Sequence, residues 1–486
     1  MFNLGTIFMQ SILSFVLDGK VTTIDFNSPS GLSPTTTVLN YLRAMPQHKG
    51  VKEGCAEGDC GACTVVLADL DSSNRFRYTA VDSCLVFLPM IHGKQLITVE
   101  NLKSANGTLH PVQKAMVELY GSQCGFCTPG IIMSMFALYE THHSPTPEQI
   151  DDALTGNLCR CTGYRPIVDA VVKASAQKGK DHFTEQEQQT VRLLQSISKE
   201  SLHIQTREQK YFRPVSLGEA ISLKHQYSGA IVLGGATDVA LRVTKNHELL
   251  KEIIDCSAIS ELKEITDTET SLKIGAGALI SEIAEREKRN FPALYQMLSV
   301  FGSLQIRNLA TLGGNIGSAS PIGDTLPVLM AYGASVELES LNGKREIALD
   351  KYIVGYRETV RKPDELITAI NIPKLSDGSI IKSYKVSKRK DLDISTVSAG
   401  FRLNLDRGSV KSIILAYGGM AERAKRAVTT EEFLHGKPWN RESVEQAMPL
   451  VEKDFTPISD ARANAVYRMT VAKNLLLKFW FETSDK

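Results

Sequence analysis

Eight of the nine cysteines fall between Cys55 and Cys161, and the rest of the chain holds only Cys256. Thiolates ligate metals and carry redox chemistry. Disulfides belong to oxidising compartments, and the N-terminus has neither the basic start nor the small-residue cleavage site of a secretory signal. The apolar stretch Leu4–Leu17 is broken by Gln10 and two serines and is too short to cross a bilayer. The expected location is therefore cytoplasmic. Crowded cysteines there predict two metal or redox sites of four thiols each, with one thiol left over.

Cys55, Cys60 and Cys63 form a Cys-x4-Cys-x2-Cys run, and Cys84 follows after the strand-like segment Thr64–Leu70. This is the spacing by which plant-type ferredoxins hold a [2Fe-2S] cluster. Gly54, Gly58 and Gly61 lie between and beside the thiols, where a loop wrapping a cluster must turn without Cβ clashes and aim N–H groups at sulfur. A four-thiolate oxidised cluster carries a net charge of about −2, which such donors stabilise. The rival use is zinc, which favours two Cys-x2-Cys pairs over three thiols plus one.

Cys124 and Cys127 form a Cys-x2-Cys pair, and Cys159 and Cys161 a Cys-x-Cys pair. Between them, Thr128-Pro129 predicts a cap and a proline at the first helical position, ahead of an apolar helix from Ile131 to Tyr139. Thr146-Pro147-Glu148-Gln149 opens a second helix ending near Gly156, and Tyr164-Arg165-Pro166 a third running to about Ser175. Both thiol pairs therefore precede helix N-termini, whose positive dipole ends favour an anionic cluster and the ligating thiolate. Alone, Cys124-x2-Cys127 also suits a redox dithiol or half a zinc site. The second pair makes a second [2Fe-2S] site the reading.

The elements that must hold these sites are of mixed kind. Ser14–Leu17 and Val21–Ile24, separated by Asp18-Gly19-Lys20, read as a hairpin, and the residues before about position 12 as an extension. Residues 177–208 are polar, with an apolar patch only at Val191–Ile197, and read as a linker. Beyond it, Ile231-Val-Leu-Gly-Gly-Ala-Thr-Asp238 is a short strand running into a glycine turn. Residues 309–324 form a glycine-rich loop bearing hydroxyl and amide side chains. Such loops either are simple turns or present N–H groups to a pyrophosphate as a nest. The G-x-G-x-x-G fingerprint is absent, because Gly275-Ala-Gly277 is followed by Ile at position 280. The C-terminal part, with strand-like Ile413–Ala416, a turn at Gly418-Gly419 and a terminal helix from about Asp460 to Phe481, reads as an α+β lobe.

At 486 residues the chain exceeds what one core supports, so three or four domains are expected. A formal charge of +1, with 43% hydrophobic and 22% charged residues, gives no electrostatic footprint for nucleic acid or an anionic membrane, and neither is an expected partner.

Gln-Cys-Gly-Phe-Cys-Thr-Pro-Gly at 123–130 and Gly-Asn-Leu-Cys-Arg-Cys-Thr-Gly-Tyr-Arg at 156–165 resemble the iron–sulfur module of molybdenum hydroxylases. That family includes xanthine dehydrogenase, aldehyde oxidase and carbon monoxide dehydrogenase. The resemblance runs in family order from about Ser14 to the end and implies an α+β multidomain fold. Its parts would be a β-grasp ferredoxin-like domain over 12–97, a helical [2Fe-2S] domain over 98–176, the linker 177–208, a para-cresol-methylhydroxylase-type FAD domain over 209–378 and a C-terminal α+β lobe over 379–486. In the family the helical cluster lies nearest the molybdopterin and the ferredoxin-like cluster nearer the flavin. By the same likeness FAD would be held by Val232, Leu233, Gly234, Gly235, Ala236, Thr237, Asp238 and Val239, and by Thr311, Gly313, Gly314 and Asn315. Phe301 and Asp324 would meet the adenosine portion, and Ile367 and Lys385 would lie near the ring. Lys385–Asp393 matches the loop that crosses one flavin face and meets a nicotinamide acceptor, although as a bare charge run it reads as a solvated face.

The implied activity is that of an oxidoreductase subunit with no catalytic side chain of its own. Electrons from a molybdopterin-binding large subunit oxidising hypoxanthine or xanthine would pass through two [2Fe-2S] clusters to FAD and then NAD, in a dimer of heterodimers. Cluster and flavin modules fused without the molybdenum part match the xanthine dehydrogenase branch. One rival is the same cofactor chain serving a hydroxylase of aldehydes, N-heterocycles or CoA thioesters. Another, from a different class, is a non-enzymatic scaffold with two structural zinc sites.

Overall fold

The computed structural model describes residues 11–29, 31–71, 73–176 and 178–484, so the expected N-terminal extension lies, apart from Ser11, outside the described residues. The chain forms two units. The first comprises residues up to Ala220 with Gly229–Ile259 and Ser303–Ala310; the second comprises Ile221–Ser228, Ser260–Gly302 and Thr311 onward.

The first unit opens with β1 (Ile12–Leu17) and β2 (Lys20–Asp25), joined by Asp18 and Gly19 at φ 52° and 68°. Two successive left-handed residues give the tight turn whose twist suits paired antiparallel strands. With β3 (Thr64–Leu70), β4 (Phe76–Asp82) and β5 (Gln95–Ile97) they make a sheet ordered β2-β1-β5-β3-β4, in which only the β1/β5 pair is parallel. β3 is buried on both faces, as its unbroken apolar run requires. Val65 and Leu67 join the core of Leu13, Phe15, Leu39 and Phe87, while Val66 and Ala68 join the core of the helices that follow.

Those helices are Pro111–Glu118, Thr128–Thr141, Pro147–Leu154 and Arg165–Ala176. Thr146 and Gln149 cap the third reciprocally, as the sequence predicts. At the second, the expected cap moves by one residue. Cys127 itself is the N-cap, Thr128 is the first helical residue, and the Thr128 hydroxyl is spent on Ser122 Oγ at 2.7 Å. The segment read as a linker holds the helix His182–Gln195, capped by Asp181. Its apolar patch provides the reason: Leu194 and Ile197 are buried with Val16 of β1. β6 (Leu202–Gln205), β7 (Lys210–Arg213), β8 (Ile231–Leu233) and β9 (Glu252–Asp255) close the unit in the order β6-β7-β9-β8.

In the second unit, β10 (Ile265–Asp267), β11 (Ser271–Gly275), β12 (Ser335–Ser340) and β13 (Gly343–Ala348) precede a short ribbon of β14 (Ile353–Gly355) and β15 (Glu358–Thr359). β16 (Leu366–Pro373) then enters the centre of the antiparallel sheet β10-β11-β16-β12-β13. A second sheet is the meander β17 (Ile380–Val386), β18 (Val397–Asp406), β19 (Ser409–Gly418) and β20 (Lys425–Arg426). Phe401 and Tyr417 of this meander pack on Leu476 and Phe479 of the terminal helix Ala465–Phe481. That helix begins after Asn464, later than expected, because Asp460 forms a turn whose carboxylate accepts from Arg468. The α+β multidomain class read from the sequence is the observed one. Among the described residues no helix is long and apolar enough to cross a membrane.

Candidate functional site

The loop before β3 carries three of the first four thiols. Ala56, Gly58 and Gly61 are left-handed at φ 56°, 82° and 67°. This path turns the N–H groups of Glu57 and Asp59 onto Cys55 Sγ, at 3.4 and 3.2 Å. Gly58 has no room for a side chain, since a Cβ would stand 2.6 Å from Leu85 Cδ1. Cys63 and Cys84 are buried, with Ser83 Oγ donating to Cys63 O at 2.7 Å between them. The sulfurs hydrogen-bond in two pairs, Cys55 with Cys60 and Cys63 with Cys84. The Cys60 thiol, helped by the two N–H groups, brings Cys55 down to about 5. That same bond, together with burial, pushes Cys60 up, and Cys84 and burial push Cys63 up. Asp82, fully buried, accepts from Cys63 Sγ at 3.8 Å, and burial pushes its carboxyl well above the usual range.

In the second group Cys124 and Cys161 are exposed, Cys127 is half-buried and Cys159 is buried. Again the sulfurs pair, Cys124 with Cys161 and Cys127 with Cys159. Cys127 sits at the N-terminus of a 14-residue helix. Tyr164, left-handed at φ 66°, folds its hydroxyl back to accept the Cys159 N–H at 2.9 Å, and Thr162 Oγ1 lies 3.1 Å from Cys159 Sγ. Against burial, which raises it, the Thr162 hydroxyl and the N–H groups of Thr162 and Cys161 hold the Cys159 thiol below its ordinary value. Each iron of a [2Fe-2S] cluster takes two thiolates, so four thiols gathered two by two, with N–H and hydroxyl donors around them, fit the group that the spacing implies.

The two groups are joined by contacts that the sequence did not reveal. Leu158, next to Cys159, donates its N–H to Cys60 O at 3.0 Å. Asn157 Nδ2 donates to Gly61 O at 3.0 Å and to Thr64 Oγ1 at 3.1 Å. On the other side of the Cys55 loop, Thr244 Oγ1 donates to Ala56 O at 2.8 Å, and Lys245 Nζ to Cys55 O at 3.1 Å. Thr244 ends the helix Ala240–Thr244, which directly follows the glycine turn after β8.

That turn, Gly234 to Val239, pivots on Ala236 at φ 62°. Gly235 is used for close packing on the protein's own chain, since a Cβ there would fall 1.5 Å from Leu309 O. Thr237, Asp238 and Val239 are half-buried, as is Val232 of β8, whereas Leu233 and Ala236 are buried. In the second unit, residues 311–324 are not an open loop throughout. Thr311 caps a helix Leu312–Gly317 by accepting the Gly314 N–H at 3.0 Å. The N–H groups of Leu312, Gly313 and Asn315 go to Ala278 O, Ala276 O and Thr311 O. The backbone donors from 312 to 315 are thus engaged within the chain. What faces outward is the exposed backbone of Gly314 and Gly317 and the half-buried Asn315, whose Oδ1 accepts from Thr325 at 2.6 Å. A Cβ on Gly317 would lie 3.3 Å from Ile367 Cδ1, which sets Ile367 beside this helix. Lys385 also lies in the second unit. Its Nζ bonds Asp324 Oδ2 and Val300 O, both at 2.8 Å, and Ser395 Oγ donates to Asp324 Oδ1. The structure therefore groups Lys385 with Asp324 and with the neighbour of Phe301. The charge run that follows folds on itself through the Arg389–Asp393 ion pair.

Three families match parts of the chain. The FAD binding domain in molybdopterin dehydrogenase matches residues 204–375, the CO dehydrogenase flavoprotein C-terminal domain 382–483, and a [2Fe-2S] binding domain 98–172. Xanthine dehydrogenase of Drosophila pseudoobscura pseudoobscura is 33% identical over 98% of the chain, and xanthine dehydrogenase/oxidase of Gallus gallus is 32% identical over 94%. The chain belongs to the molybdenum hydroxylase family. It spans 39% of the length of each of these relatives and corresponds to the iron–sulfur and FAD region of such an enzyme. Among solved structures, a chain of carbon monoxide dehydrogenase from Hydrogenophaga pseudoflava matches 57% of this chain and 96% of its own, at TM-score 0.53 and 26% identity. A chain of quinoline 2-oxidoreductase from Pseudomonas putida 86 matches 58% of this chain and 99% of its own, at TM-score 0.53 and 22% identity, a likeness of fold alone.

Proposed function

We propose that this chain is the iron–sulfur and FAD part of a xanthine dehydrogenase, taking electrons from a molybdopterin-binding partner through two [2Fe-2S] clusters to FAD and then NAD. Cysteines 55, 60, 63 and 84 hold one cluster, and cysteines 124, 127, 159 and 161 the other. When bound, the clusters pass single electrons and the flavin collects two, so no side chain of this subunit acts as acid or base on the purine. The chain's own task is to bind these groups and to fix their spacing. The observation that carries the reading is the hydrogen bond from Leu158 N–H to Cys60 O, which ties the residue beside Cys159 to a ligand of the other group. The exposure of Cys124 and Cys161 supports entry of electrons from the partner at the second group.

The flavin reading assigns Val232–Val239, Thr311, Gly313, Gly314, Asn315, Phe301, Asp324, Ile367 and Lys385 to FAD. The matched flavin family supports it. Assembly as a dimer of heterodimers in the cytoplasm, with NAD as acceptor, completes the proposal. The names of the relatives and the fusion of cluster and flavin modules favour xanthine as the partner's substrate. A second reading, the same subunit serving a hydroxylase of another substrate, draws support from the 26% identity to a chain of carbon monoxide dehydrogenase. Co-purification decides between them: the accompanying chain is identified, tested for molybdopterin and assayed with NAD on xanthine and on aldehydes. Xanthine turnover supports the first reading, turnover of aldehydes alone moves the assignment to the second, and a preparation without iron or flavin removes both.

A further inference from the structure

Three glycines and a buried set of polar side chains build the junction between the two thiol groups. Gly61 stands between Cys60 and Cys63, Gly130 three residues after Cys127, and Gly156 three residues before Cys159. A Cβ on Gly61 would lie 2.3 Å from Gly156 O, one on Gly130 2.1 Å from Gly61 O, and one on Gly156 2.1 Å from Gln305 Oε1. At Gly61 and Gly130 the loops meet backbone to backbone, and at Gly156 the chain meets the side chains of Gln305 and Ser303.

Gln305 reaches this junction from far along the chain. It lies on the short helix Leu304–Arg307, within the segment Ser303–Ala310 that belongs to the first unit, and is 0% exposed. Its Nε2 donates to Ser134 Oγ at 2.8 Å, to Asn157 Oδ1 at 3.0 Å and to Ala153 O at 3.3 Å. Ser134 Oγ also donates to Asn157 Oδ1, at 2.6 Å. Two donors on that oxygen fix the Asn157 amide, because a flip would set its NH2 against that of Gln305. Asn157 is thereby obliged to present Nδ2 to Gly61 O, which holds the Cys60 loop beside Leu158 and Cys159. Arg307 pairs with Asp152, and Asn308 Nδ2 donates to Ala80 O at 3.0 Å, fastening the segment on either side of Gln305.

We propose that Gln305 is a positioning residue for one-electron passage between the two thiol groups, acting through Asn157 on the separation of their loops. The proposal rests on the reading above that both groups hold [2Fe-2S] clusters. The step it serves moves one electron, so what is lost at one group is gained at the other, and Gln305 makes and breaks no bond in it. Partners behind the ligands govern such sites by orienting them, and one-electron coupling between fixed centres weakens steeply as they separate. A segment from the flavin part of the sequence therefore sets the geometry between the two iron–sulfur loops.

The test uses the full chain carrying Gln305→Met, which keeps the volume and removes the amide, and Ser134→Ala, which removes one hydroxyl. Iron and acid-labile sulfide are measured first. Electron paramagnetic resonance of the fully reduced protein then reads the magnetic splitting between the two clusters. The expected result is full iron in both variants, with the splitting weakened in Gln305→Met and intermediate in Ser134→Ala. Unchanged splitting in Gln305→Met at full iron would overturn the proposal. So would loss of iron from both variants, which would assign Gln305 to folding alone. A parent chain with iron for only one cluster would overturn the underlying functional reading, and is distinguished because it appears before any substitution is made.

Discussion

Replacing Gly130 with alanine sets two effects of opposite sign against each other. Gly130 is the third residue of the helix Thr128–Thr141, and inside a helix alanine is favoured over glycine by about 1 kcal/mol. Propensity alone therefore predicts a more stable protein. The added Cβ, however, would lie 2.1 Å from Gly61 O and 3.1 Å from Gly61 C, backbone atoms that cannot rotate away. Ordinary contact begins near 3.4 Å, so the helix and the Cys60 loop must part by roughly an ångström. Overpacking of this kind costs about 1–3 kcal/mol. Parting also weakens the Leu158 to Cys60 hydrogen bond, a further loss of about 1 kcal/mol. The net expectation is destabilisation of about 1–3 kcal/mol. The two tryptophans, Trp439 and Trp480, both lie in the second unit and do not report on this region. Native-state hydrogen exchange of the Thr128–Thr141 amides does, and exchange there should quicken by about 5- to 160-fold. Equal or slower exchange in the Gly130→Ala protein would refute the claim that close backbone contact at this junction outweighs helix propensity.

Three further outcomes follow from single groups. Glu140 is pushed up from 4.5 to about 8, foremost by burial and then by Asp181, which caps the helix His182–Gln195 and pairs with His110, with Lys178 and Glu187 also facing it. Because the folded state holds a proton that the unfolded chain releases above pH 4.5, stability should fall from about pH 4.5 to pH 8, by at most about 1.4 kcal/mol per pH unit. Glu140→Gln should flatten that profile in chemical unfolding of the first unit, and an unchanged slope would contradict the assignment. Lys385 and Asp324 form an ion pair with side chains only 4% and 8% exposed; Lys385→Met should cost about 3–5 kcal/mol, read by tryptophan fluorescence of the second unit, and an unshifted midpoint would count against a buried pair. Cys256, buried and outside both thiol groups, should be replaceable by serine with no loss of iron, and any fall would contradict the sorting of the other eight.

Much of this arrangement could be read from local signals. Asp18-Gly19 marked the hairpin, and Thr146 with Gln149 marked a helix start, because in each the geometry is decided within a few residues. The cysteine groups were visible for the same reason, as ligand spacing within a loop is a short-range constraint. The apolar patch at Val191–Ile197 was visible too, but its burial against Val16 depends on a strand at the other end of the first unit. Gln305 carried no local signal, and the motif around Asn157 did not show their hydrogen bond, which spans 148 positions. The glycines of 311–317 were ambiguous in principle. Sequence shows where a Cβ is missing but not whether the space goes to a ligand or, as with Gly313 against Ala276, to the chain itself.

The most direct test of the central claim is the iron and acid-labile sulfide content of the purified full chain beside its Cys60→Ser and Cys127→Ser variants. The account predicts two [2Fe-2S] clusters in the parent, with each variant losing the iron of a different cluster and keeping the spectrum of the other. Retention of the parent's full iron by both variants, or a colourless parent that holds zinc, would contradict it.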